Sequence, residues 1–153
     1  MDGSRNSLAS LMAKRTARHA TRTYDWDALK FQADFDPKYR RAQLRYVGTG
    51  GTGVDADDNA VPAEHFTFST MLLPAGCEGP SHVHTDVEEV FFMIRGKIRL
   101  FFERDLCSVP AGVYRGLRNE TDEDALMCVM LGTAKPVTPT YPPNHPLAKI
   151  KRK

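Results

Sequence analysis

Between residues 65 and 131 the chain is a series of short apolar stretches, each stopped by a proline or glycine turn, with no helical pattern between them. His65–Leu73 alternates Phe66, Phe68 and Thr70 against Thr67 and Ser69, then halts at Pro74-Ala75-Gly76. Glu89–Ile94 closes at Gly96, and Lys97–Glu103 is expected to return as its hairpin partner. Leu106–Val109 stops at Pro110-Ala111-Gly112, and Ala125–Leu131 is a strongly apolar last strand. Short, evenly spaced strands without intervening helices predict an all-β antiparallel sandwich or barrel. After Gly132 come Pro136, Pro139, Pro142, Pro143 and Pro146. Proline cannot serve a central strand, so this run is expected as an extended arm over the outside.

What precedes the strands differs from them. Ser7–His19 has Leu8, Leu11 and Met12 at helical spacing, which predicts a short helix outside the barrel. Residues 24–45 mix Trp26, Leu29, Phe31 and Phe35 with charges, and suit a segment that wraps a barrel mouth or packs on a second subunit. For Tyr24, Trp26 and Tyr141, packing on the barrel exterior is preferred to capping its mouth. With 153 residues one domain is expected, divided as an extension over 1–45, a barrel over 46–133 and an arm with a basic tail over 134–153. An apolar fraction of 41% and a charged fraction of 26% are ordinary for a globular chain.

No apolar run approaches the ~20 residues of a membrane span, and no export signal opens the chain, so a cytoplasmic protein is expected. Cys77, Cys107 and Cys128 are odd in number and unclustered, which reads as reduced thiols. The net charge of +2 is unevenly spread. Residues 1–45 hold ten Lys/Arg against five Asp/Glu, and residues 46–146 hold seven against fourteen. The basic end Lys149–Lys153 reads as a solvated tail, and no nucleic-acid partner is expected.

Residues 48–60, GTGGTGVDADDNA, form a loop by composition. Gly48, Gly50 and Gly53 match GxGxxG in letters, but the following Asp-rich stretch ends at Pro62 and opens no helix to hold a pyrophosphate. Asp55, Asp57 and Asn59 imitate the start of an EF-hand, yet Ala60 and Phe66 stand where glycine and glutamate are needed. A mobile loop without a part in function is expected here.

The chemistry concentrates at residues 76–96. Two histidines one residue apart on a strand point the same way, about 7 Å apart along the chain. Glu89 opens the next strand and can swing beside His82 and His84. Two imidazoles and a carboxylate converging on one point suit a divalent ion. The stretch resembles the first motif of the cupin superfamily, G-x5-H-x-H-x3,4-E-x6-G, at every defined position from Gly76 through His82, His84 and Glu89 to Gly96. The second cupin motif, G-x5-P-x-G-x2-H-x3-N, is matched by Pro110, Gly112 and Asn119, while Arg104 replaces its first glycine and Arg115 its metal-ligating histidine. The resemblance covers about residues 64–133 and implies a small single-domain double-stranded β-helix, or jelly-roll, barrel.

A guanidinium only donates hydrogen bonds and cannot ligate a cation. Three arrangements follow. His82, His84 and Glu89 hold the metal alone, with Arg115 turned to a substrate anion. Alternatively Arg115 pairs with Glu89 and no metal is held. In the third, His65 or Tyr114 completes the ligand set. Phe91 and Met93 share the face of Glu89, whereas Glu88, Phe92 and Ile94 face outward. Phe92, Ile94 and the aromatic extension predict a homodimer.

The resemblance implies a divalent cofactor, Fe(II) first, with Mn(II), Ni(II) or Zn(II) as alternatives. An oxygenase acting on a small anionic or aromatic compound is the leading reading. A metal-dependent or metal-free lyase or isomerase, and a non-catalytic small-molecule-binding cupin, stand beside it.

Overall fold

The structure, a computed structural model, describes residues 8–54 and 56–150. Seven strands make up the body: β1 Ala42–Val47, β2 Thr67–Leu73, β3 Glu78–His82, β4 Glu89–Arg95, β5 Leu106–Val109, β6 Arg115–Arg118 and β7 Ala125–Leu131. Five of them form an antiparallel sheet in the order β1-β2-β7-β4-β5, and β3 pairs with β6 as a second sheet. The two layers make the all-β double-stranded β-helix that the strand pattern and the motifs anticipated.

β7 lies at the centre because its inward residues are apolar and fully covered. Ala125, Met127, Val129 and Leu131 are buried in strict alternation with half-buried neighbours. Met127 stands opposite Met71 of β2 and Met93 of β4. Leu117 of the smaller sheet joins the same core, which also holds Leu73, Phe91 and Ile98. Each such side chain contributes about 1.5–3 kcal/mol by leaving water.

Glu88, just ahead of β4, and Phe92 and Ile94 on it are exposed while Glu89, Phe91 and Met93 are buried, as their alternation requires. The expected hairpin between β4 and Lys97–Glu103 does not form. Ile98 bridges to Phe101 in a tight turn, and β4 pairs with β5 instead, Glu89 opposite Val109. Only Ile98 of that stretch is fully buried, and Leu100 and Phe102 stay exposed, so a strand there would have had no covered face.

The expected boundary at 45/46 falls inside β1, which is hydrogen-bonded to β2 along its length. Ahead of it, α1 (Leu8–Lys14) is exposed throughout and α2 (Lys30–Phe35) packs beside the barrel. The predicted start of the first helix, Ser7, lies outside the described residues, and the helix ends at Lys14 instead of reaching His19. Asp25 exchanges two backbone hydrogen bonds with Gln43, of 2.7 and 3.0 Å.

The glycine- and aspartate-rich loop is pinned down rather than free. Arg45 donates to Asp57 at 3.2 Å and to Asp25 at 2.8 Å. Arg22 donates to the carbonyls of Arg45 and Asn59, and the Asn59 side chain donates to the Thr21 carbonyl at 2.9 Å. The basic extension and the acidic loop hold each other, which corrects the mobile loop expected from composition. Asp55 lies outside the described residues.

The proline-rich arm joins the barrel through Val83 and Thr140, which exchange hydrogen bonds of 2.8 and 3.1 Å. Leu147, fully buried, packs with Tyr39 and Tyr141. Tyr141 thereby turns to the barrel mouth, not onto the exterior where the sequence placed it. The last three residues of the basic tail lie outside the described residues. No helix among the described residues is long and apolar enough to cross a membrane.

Candidate metal centre

His82 is the last residue of β3, and its position is fixed from two sides. Its backbone pairs opposite Arg115 of β6, and its Nδ1 lies 3.0 Å from the Pro80 carbonyl. A carbonyl only accepts, so that nitrogen carries the proton, and in the neutral ring the Nε2 lone pair is left free. Val83 is held by the arm, and the carbonyl of His84 accepts a 2.7 Å hydrogen bond from Gly112. The two rings meet edge to face, with centroids 5.3 Å apart.

Glu89, at the start of β4, completes the group. Its Oε2 is 3.5 Å from His82 Nε2 and 3.8 Å from His84 Nε2. Among the described residues these three form the one group of three or more His, Cys, Asp or Glu side chains able to share an ion, with ligand atoms within 4.8 Å of one another. Burial holds His84 below the ordinary histidine pKa of 6.5, with the Glu89 charge opposing and the charges of His82 and Arg115 reinforcing. His84 is therefore neutral near pH 7 and can donate a lone pair.

The donor set fits a divalent ion. Glu89 Oε2 is buried and has no hydrogen-bond partner. An ionised oxygen left so would cost upward of about 1–3 kcal/mol. Two donors each ~2.1 Å from an ion stand roughly 3.0–3.4 Å apart at octahedral or tetrahedral angles, a small contraction from 3.5 and 3.8 Å.

Arg115 is the opposing feature. It is buried, its Nη2 donates to the carbonyls of Pro110 at 2.8 Å and Val109 at 3.2 Å, and its Nε lies 3.6 Å from the same Glu89 Oε2. The guanidinium thus neighbours Glu89 as in the second arrangement anticipated, while the trio stays gathered as in the first. Its charge weakens the hold on a cation without removing a donor. Arg115 is not part of the cavity wall described next. His65 and Tyr114, the proposed gap-fillers, are exposed and outside the group.

The trio opens on a cavity of about 60 Å³. The barrel supplies Ser69, Met71, Phe91 and Val129, but much of the wall comes from elsewhere. Leu29 and Gln32 reach it from the extension, Gly50–Thr52 from the pinned loop, and Pro139 and Tyr141 from the arm. Gly51 is tight against the centre: a Cβ there would lie 2.8 Å from His84 Cε1. The sequence also passed over Arg41 and Gln43, whose one local signal is polar residues alternating with Ala42 and Leu44 at the start of a strand.

No family model matches the chain, and no curated protein does. Solved structures do. The DMSP lyase DddQ from Ruegeria pomeroyi DSS-3 superposes with a TM-score of 0.61 over 86% of this chain and 64% of the lyase, at 17% identity. A cupin-2 domain from Rhodospirillum rubrum gives 0.53 over 71% of this chain and 69% of that one, at 14% identity. An oxalate oxidase gives 0.51 over 63% and 52%, also at 14% identity. The chain thus spans a little under two thirds of the lyase's length. At these identities the likeness is one of fold.

Proposed function

We propose, from the premise that the chain has the cupin fold, that it is a metal-dependent enzyme acting on a small organic molecule. In this reading His82, His84 and Glu89 hold the ion, Fe(II) first and Mn(II), Ni(II) or Zn(II) after it, and the reaction is an oxygenation. The observation that carries it is the buried Glu89 Oε2, which accepts no hydrogen bond and faces two imidazole Nε2 atoms, with Arg115 Nε no nearer than 3.6 Å. Lone pairs so arranged repel unless a cation or a proton lies among them.

A bound ion of this kind supplies redox access to dioxygen or Lewis acidity toward a substrate oxygen. The chain's own residues do the rest. The Pro80 carbonyl sets the His82 tautomer, the Gly112 N–H fixes the His84 backbone, and Arg115 steadies Glu89. The Gly51 loop and Tyr141 form part of the cavity wall.

Metal analysis of protein purified without chelators tests the proposal. We expect about one ion per chain after incubation with Fe(II), Mn(II), Ni(II) or Zn(II), and its loss in Glu89→Gln. A stoichiometry near zero with all four ions overturns the reading. Elimination by a lyase using the same pocket is the second reading, supported by the likeness to the Ruegeria lyase over 86% of this chain. Turnover at an unchanged rate under nitrogen decides for it against the oxygenase.

A further inference from the structure

Among the described residues three arginines are buried, and two of them have carboxylates. Arg45 meets Asp25 and Asp57 at 2.8 and 3.2 Å, and Arg115 meets Glu89 at 3.6 Å. Arg41 has none within 4.0 Å among the described residues. Its Nη1 donates to the Tyr39 carbonyl at 3.0 Å, while its Nε is buried without a hydrogen-bond partner. Burial lowers its pKa to about 10, with Tyr141, Glu89 and Cys77 opposing, so it is still cationic at pH 7. A buried charge that the fold leaves unneutralised costs several kcal/mol unless something else meets it.

What can meet it is set by the cavity. Arg41 lies in the same wall as His82, His84 and Glu89. Beside it are Gln43, itself buried, and Gln32, whose Nε2 donates to the Tyr141 hydroxyl and whose buried Oε1 is unpartnered. A guanidinium is planar and offers paired N–H groups that match the two oxygens of a carboxylate. A volume of about 60 Å³, at ~10–15 Å³ per water-sized group, takes roughly four to six non-hydrogen atoms.

The geometry points to Arg41 as the carboxylate-binding group of this cavity, and to a two- to four-carbon carboxylate as its ligand, acid end on Arg41 and the remainder toward His82, His84 and Glu89. This deepens the proposed function and rests on it for the transformation, but not for the binding. It also separates two roles expected of Arg115: that guanidinium is committed to Glu89 and two carbonyls, and Arg41 faces the ligand.

The test uses the full ¹⁵N-labelled chain, metal-free and metal-loaded, with acetate and propionate as probes and acetamide as the neutral isostere. We expect acetate to bind at least tenfold more tightly than acetamide and to shift the Arg41 Nε–H resonance saturably. Arg41→Lys, with its fold checked by circular dichroism, should lose at least tenfold in acetate affinity. Should that variant fail to fold, the wild-type acid-to-amide ratio and the Nε–H shift decide alone. Equal binding of acetate and acetamide, or acetate binding untouched by Arg41→Lys, overturns the inference even if the metal is present. Acetate discrimination in a chain that holds no ion supports it while removing the metal-dependent reading.

Discussion

Arg104 has φ +70°, and it is the one non-glycine residue among those described in the left-handed region. It ends the turn that feeds β5, its N–H donates to the Met93 carbonyl at 3.0 Å, and Asp105 caps the same turn through the Phe102 N–H at 2.8 Å. An L-residue there sits about 1 kcal/mol or more above glycine. The second motif has its first glycine at this position, so the departure read in the sequence appears in the structure as backbone strain. Arg104→Gly is therefore expected to stabilise the protein by about 0.5–1 kcal/mol, the entropy of the unfolded glycine offsetting part of the relief. Urea unfolding measures it, and a lower midpoint would mean that the Arg104 side chain contributes more than its backbone costs. Gly51 presents the opposite case, since His84 crowds its α-carbon and space, not φ, demands glycine.

At the scale of elements, the joint between β2, β6 and β7 depends on one amide. Asn119 is 1% exposed, and its Nδ2 donates to the carbonyls of Leu73, Pro74 and Glu123 at 3.0, 3.2 and 2.8 Å. Its Oδ1 accepts from the backbone and hydroxyl of Thr121. Asn119→Ala strands the buried Leu73 carbonyl and two half-buried ones at once and should cost about 2–4 kcal/mol. A loss under half a kcal/mol in urea would show that water takes over the bonds. The motif marked Asn119 in the sequence without giving it this duty. β2, β4, β5 and β7 were legible because their own residues alternate or run apolar. β3 was read only at its histidine end, where the spacing put His82 and His84 on one strand although β3 stops at His82. β6 was not read as a strand at all, since EGPSH and RGLR carry glycine, proline and charges and are extended only because each pairs with the other. Local propensity has no access to that partner.

For the whole molecule the same division holds. His82, His84 and Glu89 fall within eight positions of one another, so spacing alone exposed them. Arg41, Gly51 and Tyr141 reach the same cavity from the extension, the loop and the arm, and no local pattern ties them to it. What brings the extension and loop onto the barrel is charge: Arg45, buried on β1, holds Asp25 from one side and Asp57 from the other. Burial would raise the Asp25 carboxyl, but the Arg45 hydrogen bond and the N–H groups of Asp27 and Ala28 outweigh it and leave the pKa below the ordinary 3.8. The folded state therefore binds fewer protons than the unfolded one as pH falls from 3.8 toward that lower value. The stabilisation is complete above this window and is lost on passing down through it. Asp25→Asn keeps the turn-capping oxygen but not the charge, and is expected to cost about 1 kcal/mol at pH 7, since Asp57 remains on Arg45 and Asp25 is partly solvated. The gap between wild type and variant should then narrow as the buffer approaches about pH 3, measured by urea unfolding at each pH. A gap of constant size from neutral to acid would mean that Asp25 acts through its turn alone, and that the clasp between extension and loop does not depend on its charge.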